Sequence, residues 1–375
     1  MLAFVRRLLP LLVAAIALLI AVRGTDLTKL RAAMEHAPMA ALIGASAVMA
    51  VLNCAADTLA MFYVFRWFGL HLRFFDLYTI RAATYTLAVI NYHAGQLGII
   101  GYLHRVGRVS LPRASAYILF IVGVWVALLL LFAGGSLLLG GAKAQAMAPV
   151  LGVFLLGLFV YALLLRWPPR FLRQGPPAQA AGLTAAAAPL LVRLGRRLWY
   201  RVWRIIGKLW APLMEAGLAG HGRAMLVRLP HLGVLLVWHF IALRCFDVQV
   251  PVHVAVLYLP VVFAVASLPI SVQGLGTSQV AAKYFFTEFA AAGEESVLAY
   301  SLSMTAISTT SSLIMGFLFL RRGARLGLAD MTESAARGLD SAAEVAPVAP
   351  LAAAMDDRSP AVAAGDESVP VSSRS

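Results

Sequence analysis

Long apolar blocks, separated by short basic segments, run through most of this chain. A hydrocarbon core about 30 Å thick requires about 20 consecutive apolar residues in an α-helix, and several blocks reach that length. Hydrophobic residues make up 61% and charged residues 13% of the 375 residues, whereas soluble domains carry about 25% charged residues. We therefore predict an all-α polytopic membrane protein. The nine apolar blocks are residues 8–22, 39–65, 77–92, 114–139, 148–165, 226–246, 252–268, 278–289 and 296–320.

The distribution of basic residues predicts which segments face the cytoplasm. The first 325 residues hold 28 basic and 9 acidic residues, whereas the last 50 hold 3 and 8. Residues 166–228 contain 11 basic residues and a single acid, Glu215, and three more arginines follow the last block. Because cytoplasmic loops are enriched in Lys and Arg, we predict that both regions and both chain termini are cytoplasmic. Anionic lipid headgroups are the predicted partner of this basic face, and no nucleic-acid-binding motif accompanies the charge.

Two re-entrant hairpins that enter from opposite membrane faces would reconcile the order of the apolar blocks with the predicted cytoplasmic location of the basic segments. The 77–92 block has arginines on both sides, so a single crossing there conflicts with the charge rule. A hairpin over about 77–106, entering from the cytoplasm and breaking at 92–98, satisfies it. A second hairpin over about 252–290, broken at 268–276, would enter from the outer side. Opposed broken segments in two halves of a chain indicate a transport site; a plain eight-helix bundle is the alternative.

The predicted architecture is thus six full crossings plus two re-entrant hairpins in inverted-repeat-like halves. Residues 1–165 form the first membrane half and residues 226–325 the second. Between them, residues 166–225 form a basic cytoplasmic linker. Residues 326–375 are rich in Ala, Pro, Ser and Asp without apolar periodicity, so we predict a disordered cytoplasmic tail.

The linker contains an amphipathic segment at 191–210. On a helical wheel its basic side chains share one arc, its aliphatic side chains cover the opposite arc, and tryptophans lie along the edge. This pattern is typical of a helix lying in the membrane interface. We predict an anchor for the linker, with recruitment of an anionic lipid substrate as the alternative. The anchoring residues are Arg193, Arg197, Trp199, Arg201, Trp203, Arg204, Lys208 and Trp210.

Ionisable residues inside the apolar blocks are candidate functional residues, because a charge at membrane depth is costly. Asp57 lies in the second block, Arg81 in the first hairpin and Lys283 in the second. Snorkelling of the two cations to the interface and an Asp57–Arg81 pair are the structural alternatives. His239 is predicted to be a core histidine. Eight hydroxyl residues between 301 and 312 either pack tightly or line an aqueous cleft.

The stretch Ser267 to Gln279, SLPISVQGLGTSQ, carries a family resemblance. It resembles the LPIS-x-GGLG-x-x-E signature of the lysylphosphatidylglycerol synthase transmembrane-region (flippase-like) family. Asn91, Gly95 and Arg105, with the run at 111–116, follow the order of that family's first-half motif. The resemblance covers roughly residues 5–325 and implies a stand-alone membrane domain without the aminoacyl-transferase domain of larger members.

Departures from the family pattern bear on the substrate. Gln96 and Gln279 stand where the family has an acidic residue after each glycine, Gln273 replaces a motif glycine, and His93 or Ala94 replaces a proline. If the family acids bind a cationic headgroup, their loss favours a neutral, glycosylated or isoprenoid-type lipid over lysyl-phosphatidylglycerol.

We therefore predict a lipid translocase of the bacterial cytoplasmic (inner) membrane, moving a phospholipid, glycolipid or isoprenoid-type lipid between leaflets. The alternatives are a secondary transporter of a small soluble solute and a non-transporting partner of a lipid-modifying glycosyltransferase. Histidines and cysteines lack metal-ligand spacing, and no phosphate loop or nucleophile elbow is present, so we predict no cofactor, metal or enzymatic activity. The predicted substrate-binding residues are Asn91, His93, Gly95, Gln96, Arg81, Asp57, Pro269, Ser271, Gln273, Gly274, Gly276, Gln279 and Lys283.

Overall fold

A computed structural model of the protein describes the backbone of residues 2–90, 92–139, 141–167, 190–267 and 274–343. Within these ranges, side chains are described from residue 12 onward except at 90, 92, 93, 141, 142, 144, 150, 190–204, 208 and 327–343. The described chain is helical, and its one sheet-like feature is an isolated antiparallel bridge between Val248 and Ala290.

The helices follow one another with short connections. In chain order they are α1 (Leu2–Val22), α2 (Leu27–His36), α3 (Met39–Trp67), α4 (Phe74–Ala83), α5 (Tyr85–Ile90), α6 (Tyr92–Arg105), α7 (Leu111–Leu139), α8 (Gly141–Ala146), α9 (Ala148–Arg166), α10 (Leu190–Cys245), α11 (Val252–Ser267), α12 (Thr277–Phe286) and α13 (Glu294–Ala343). A single 3₁₀ turn, Thr287–Phe289, follows α12.

Four of these helices contain segments long and apolar enough to cross a membrane: Met39–Trp67, Leu111–Leu139, Ile205–Cys245 and Glu294–Leu326. Shorter apolar helical segments lie at 12–22, 151–166 and 252–267. On α3, Ile43 and Val48 are each 57% exposed. Such exposed apolar faces are suited to contact with lipid rather than water. The prediction of an all-α membrane protein is confirmed at this level.

Two apolar cores lie at opposite ends of the bundle. One packs Leu42 of α3 with Phe246, Val250, Phe286 and Val297. The other packs the opposite end of α3, at Phe65, with the ends of α4, α6, α7 and α9. The ends of the helices therefore pack into two separate apolar cores, and the polar residues discussed below lie between these two cores.

The first helical hairpin consists of α4 and α5 packed antiparallel against α6. α5 ends at Ile90, and α6 already begins at Tyr92. The predicted break at 92–98 is thus wrong in position: Gly95 and Gly98 are helical. A Cβ on Gly95 would lie 2.9 Å from Ala88 Cβ, and one on Gly98 would lie 2.7 Å from Thr84 Cγ2. These glycines allow close helix packing rather than a turn.

The second helical hairpin consists of α11 and α12. The rings of Tyr258 and Phe285 lie 4.6 Å apart between the two helices. Gly274 and Gly276 precede α12 with φ of 70° and 83°, values that favour glycine, so a break at this predicted position is present. The two free ends of the α4–α6 hairpin lie at the end of the bundle that contains Phe65. The two free ends of the α11–α12 hairpin lie at the end that contains Leu42.

The linker and tail segments are also helical where they are described. The 191–210 segment belongs to α10, which breaks at Gly217 with φ of 55° and ψ of −172°. α13 continues to Ala343, so the first part of the tail predicted to be disordered is helical, in keeping with the high helix propensity of its alanines. Residues 344–375 lie outside the described residues.

Candidate functional site

Asp57 is the acid at the centre of the candidate site. It lies on α3 about 15 Å from Trp67 along the helix axis, at about 1.5 Å per residue, and is 2% exposed. Its neighbours on α3 include the buried apolar residues Met61 and Val64. A carboxylate in such surroundings requires charged or hydrogen-bonding partners, since an unpaired buried charge is strongly unfavourable.

Two arginines supply those partners from different helices. Arg81 of α4 donates from Nε to Asp57 Oδ2 at 2.5 Å. Arg228 of α10 donates from a terminal guanidinium nitrogen to Asp57 Oδ1. Both arginines are buried. The cluster therefore joins the consecutive helices α3 and α4 to α10, which is distant in sequence, and it holds two positive charges against one negative charge.

Aromatic rings cover the outer faces of the two guanidinium groups. The Arg81 guanidinium lies 5.0 Å from the centre of the Tyr85 ring, and that of Arg228 lies 5.4 Å from the Trp125 ring. The ring of His231, one helical turn after Arg228, lies 4.8 Å from Trp125. Cation–π contacts offset part of the excess positive charge, but they add no anion.

A cavity of about 230 Å³ opens beside this cluster. Asn53 and Asp57 line it from α3, and residues of α4, α5, α7 and α10 complete its charged and aromatic wall. Hydroxyl groups form the facing wall, from α13. They belong to Ser308, Thr309 and Ser312.

A second cavity of about 90 Å³ continues along the seam between α3, α10 and α13. It shares Asn53, Ser308 and Ser312 with the first cavity. A hydrogen bond between the Ser46 and Ser311 hydroxyls, 2.9 Å long, crosses this seam. The two cavities together form a polar track through an otherwise apolar bundle.

Three polar atoms around the track are buried without a hydrogen-bond partner among the described residues. They are Asn53 Oδ1, Arg228 Nε and His231 Nδ1. Leaving such a group unsatisfied costs about 1–3 kcal/mol, so water or a ligand is expected to satisfy them. The donor set, rich in guanidinium and hydroxyl groups, is suited to an anion.

The predicted site residues fall into separate regions of the structure. Asp57 and Arg81 are brought together at the cavity. Gly95 and Gln96 are buried on α6 and are not among the residues lining either cavity. The side chain of His93 lies outside the described residues, as do four complete residues: Asn91, Pro269, Ser271 and Gln273.

Gln279 has a packing role in this conformation. Its side chain is completely buried; Oε1 accepts from the backbone N–H of Gly276 at 2.6 Å. Its Nε2 donates to Thr305 Oγ1 at 3.0 Å. The amide therefore closes the first turn of α12 and joins it to α13, and both of its ends are occupied by protein.

Lys283 and Gly276 join the second hairpin to α1. Lys283 Nζ donates to the Ala21 carbonyl at 2.8 Å and pairs with Glu294 at 3.1 Å. A Cβ on Gly276 would lie 2.6 Å from both Ala14 O and Leu18 N, so α1 packs directly on the Gly276 backbone. This contact explains why only glycine fits at that position.

Gly276→Ala is accordingly expected to destabilise the protein. The positive φ costs of order 1–3 kcal/mol for a residue with a Cβ, and the contact with α1 adds to that. The midpoint of thermal unfolding of the purified protein in detergent measures this loss of stability. Gly222→Ala is the matched control, because Gly222 is helical, exposed and free of neighbours within 4 Å of a built Cβ, and the change should stabilise by about 0.5–1 kcal/mol. Equal midpoints for the two variants would contradict the packing described.

Arg228 and His231 are site residues that the sequence analysis did not select. Arg228 belongs to the basic region 166–228 whose charge predicts a cytoplasmic location, although it is 4% exposed. The sequence signal that could have identified them is their spacing of three residues at the start of an apolar segment. This spacing places both side chains on one face of a helix. The hydroxyl block of α13 serves both predicted roles: Thr305 packs against Gln279, whereas Ser308 and Ser312 line the cavities.

The interfacial role of 191–210 stays a prediction. The backbone there is helical, but the side chains of Arg193, Arg197, Trp199, Arg201, Trp203, Arg204 and Lys208 lie outside the described residues. Trp210 is described, and its ring packs edge-on to Tyr161 of α9 at 5.9 Å. His239, predicted as a core histidine, shares a 2.7 Å hydrogen bond with the Tyr300 hydroxyl.

The chain matches no protein-family model, and comparisons with curated proteins and with solved structures also found no match. The flippase-family resemblance therefore rests on the sequence motifs alone. Among the described residues, no group of three or more His, Cys, Asp or Glu side chains is placed to hold a metal ion.

Proposed function

We propose that this protein is a lipid translocase whose headgroup site is the cavity beside Asp57, Arg81 and Arg228. The observation that carries the proposal is a polar, charged cavity enclosed by helices that are apolar on their outer faces. Charged residues inside membrane helices are rare and mark transport pathways by default. A volume of about 230 Å³ lies below the about 300–1,000 Å³ of pockets for whole drug-sized ligands, and so suits a headgroup rather than an entire lipid.

An apolar groove next to the cavity favours a lipid over a soluble solute. The groove, about 540 Å³, runs between α4, α5, α6 and residues 320–324 of α13. Ala88 and Val89 on one side of α5 line the cavity, while Thr86 and Leu87 on the other side line the groove. A lipid bound here would place its headgroup in the cavity and an acyl chain in the groove, on either side of the short helix α5.

The proposed membrane arrangement is six crossings and two re-entrant hairpins. α1, α3, α7, α9, the apolar part of α10 and α13 would cross, and the α4–α6 and α11–α12 hairpins would enter from opposite faces. Broken helices are tolerated at membrane depth where they line a cavity. The hairpin next to the cavity supports this arrangement, since α5 contributes to the cavity wall.

Charge at the two ends of the bundle supports an orientation with the Phe65 end in the cytoplasm, as positive-inside topology requires. The Leu42 end has no such excess of positive charge, because its acids balance its basic residues, as in the Arg31–Glu35, Lys143–Glu288 and Lys283–Glu294 pairs. The acids at that end are Asp26, Glu35, Asp247, Glu288, Glu294 and Glu295, and the basic residues are Arg23, Lys29, Arg31, Lys143, Arg244 and Lys283. The cytoplasmic membrane of a bacterium is the proposed location. The arginines at the Phe65 end are Arg66, Arg73, Arg105, Arg108, Arg113, Arg166, Arg321, Arg322 and Arg325.

The experiment that tests the proposal is headgroup translocation in liposomes containing only this protein. Fluorescent anionic, zwitterionic, glycosylated and isoprenoid-phosphate lipids are tested for access to a membrane-impermeant quencher. Protein-dependent access to at least one class is expected. If no lipid moves, while folded protein imports a small soluble anion, the small-solute alternative replaces this proposal. If neither moves, and the protein copurifies with a lipid-modifying enzyme, the accessory role replaces it.

A further inference from the structure

The cavity carries one more positive charge than negative charge. Among the described residues, its walls hold the guanidinium groups of Arg81 and Arg228 and the carboxylate of Asp57, and no other described lining residue contributes a carboxylate. An uncompensated charge inside a membrane bundle costs several kcal/mol. The described residues of the cluster therefore carry a single excess positive charge, which one negative charge would balance.

The polar groups of the cavity are donors suited to an oxyanion. Arg228 is 4% exposed, lines the cavity and has a buried Nε without a hydrogen-bond partner among the described residues. Ser308, Thr309 and Ser312 supply hydroxyl groups from the facing wall. Guanidinium groups bind phosphate oxygens in the same geometry as carboxylate oxygens, so the arrangement that holds Asp57 also suits a phosphate.

From this charge count and donor set we infer that the cavity binds a singly charged phosphate group, as found in a phosphodiester headgroup. The inference deepens the proposed function, on which it rests for the lipid origin of that phosphate. A neutral glycolipid leaves the excess charge uncompensated, and a cationic headgroup increases it. A free phosphate anion has the same chemistry, so the two sources are separated by experiment.

The inference is tested by measuring equilibrium binding of three probes to the purified full-length chain in a phosphate-free buffer containing detergent. The probes are phosphatidylglycerol, monoglucosyl diacylglycerol with the same acyl chains, and inorganic phosphate. We expect phosphatidylglycerol to bind at least about tenfold more tightly than the glycolipid. Tight binding of inorganic phosphate with the same Arg228 dependence would support the site and identify a free anion as its ligand.

Arg228→Gln is the informative variant. It leaves Asp57 paired with Arg81 as a neutral pair and removes the excess charge, so phosphatidylglycerol binding should weaken by about tenfold or more. Arg223→Gln is the matched control, because Arg223 is exposed on the same helix, and its binding should match the unsubstituted protein.

The outcomes separate this inference from the proposed function. Binding without translocation supports the phosphate site and rejects the translocase. Translocation with equal affinity for glycolipid and phosphatidylglycerol overturns the phosphate site and leaves the translocase standing. Equal affinities in the unsubstituted protein are decisive even if Arg228→Gln does not fold.

Discussion

Asp57→Asn is expected to lower the stability of the protein more than any other single substitution at the site. Asparagine keeps the shape of the side chain but leaves Arg81 and Arg228 buried together without an anion. Removing one partner of a buried ion pair costs about 3–5 kcal/mol. The midpoint of thermal unfolding in detergent, followed with size-exclusion behaviour, measures this loss.

The double variant Asp57→Asn with Arg228→Gln serves as the control for that prediction. It restores the excess of one positive charge, whereas Asp57→Asn alone has an excess of two. We expect the double variant to be more stable than Asp57→Asn, although Arg228→Gln removes further contacts. This non-additivity is the signature of residues that interact directly. A double variant less stable than Asp57→Asn would show that the charge balance does not determine stability here.

Ser312→Leu is expected to abolish most transport with little effect on folding. Ser312 lines both cavities, so a leucine there fills the shared part of the polar track and replaces a hydroxyl. We expect the rate of lipid translocation in liposomes to fall by at least about tenfold, equivalent to about 1.4 kcal/mol. The unfolding midpoint should change much less than in Asp57→Asn, because the leucine enters open space.

Thr310→Leu on the same helix is the matched control. Thr310 is exposed and is not among the residues lining either cavity, so translocation should stay at the unsubstituted rate. If Ser312→Leu also transports at that rate, the lipid headgroup takes another route and the cavity is not the translocation site.

The periodic features of the sequence predicted the helices well. Long apolar runs such as 114–139 appear as single helices because a membrane segment must satisfy its backbone hydrogen bonds internally. The glycine-rich stretch before Thr277 is a break, since Gly274 and Gly276 adopt positive φ. The suggestion that Asp57 pairs with Arg81 also agrees with the structure.

The composition of the site could not be predicted from local sequence. Arg228 lies in a basic region whose charge count indicated cytoplasmic exposure, yet it reaches Asp57, 171 residues away in sequence. Gly95 looked like a turn glycine, but helix contacts with Ala88 explain it. Both cases depend on packing between distant segments, which neither periodicity nor charge counting reports.

The most direct test of the account is protection of a cysteine placed at Ser308 from an impermeant thiol reagent. Cys54 and Cys245 are the only native cysteines and are first replaced by alanine. We expect Ser308→Cys to react with the reagent and phosphatidylglycerol to slow that reaction several-fold, whereas the lipid should not change the reaction of Thr310→Cys. Equal rates with and without the lipid would contradict a site for a phosphate headgroup beside Asp57, Arg81 and Arg228.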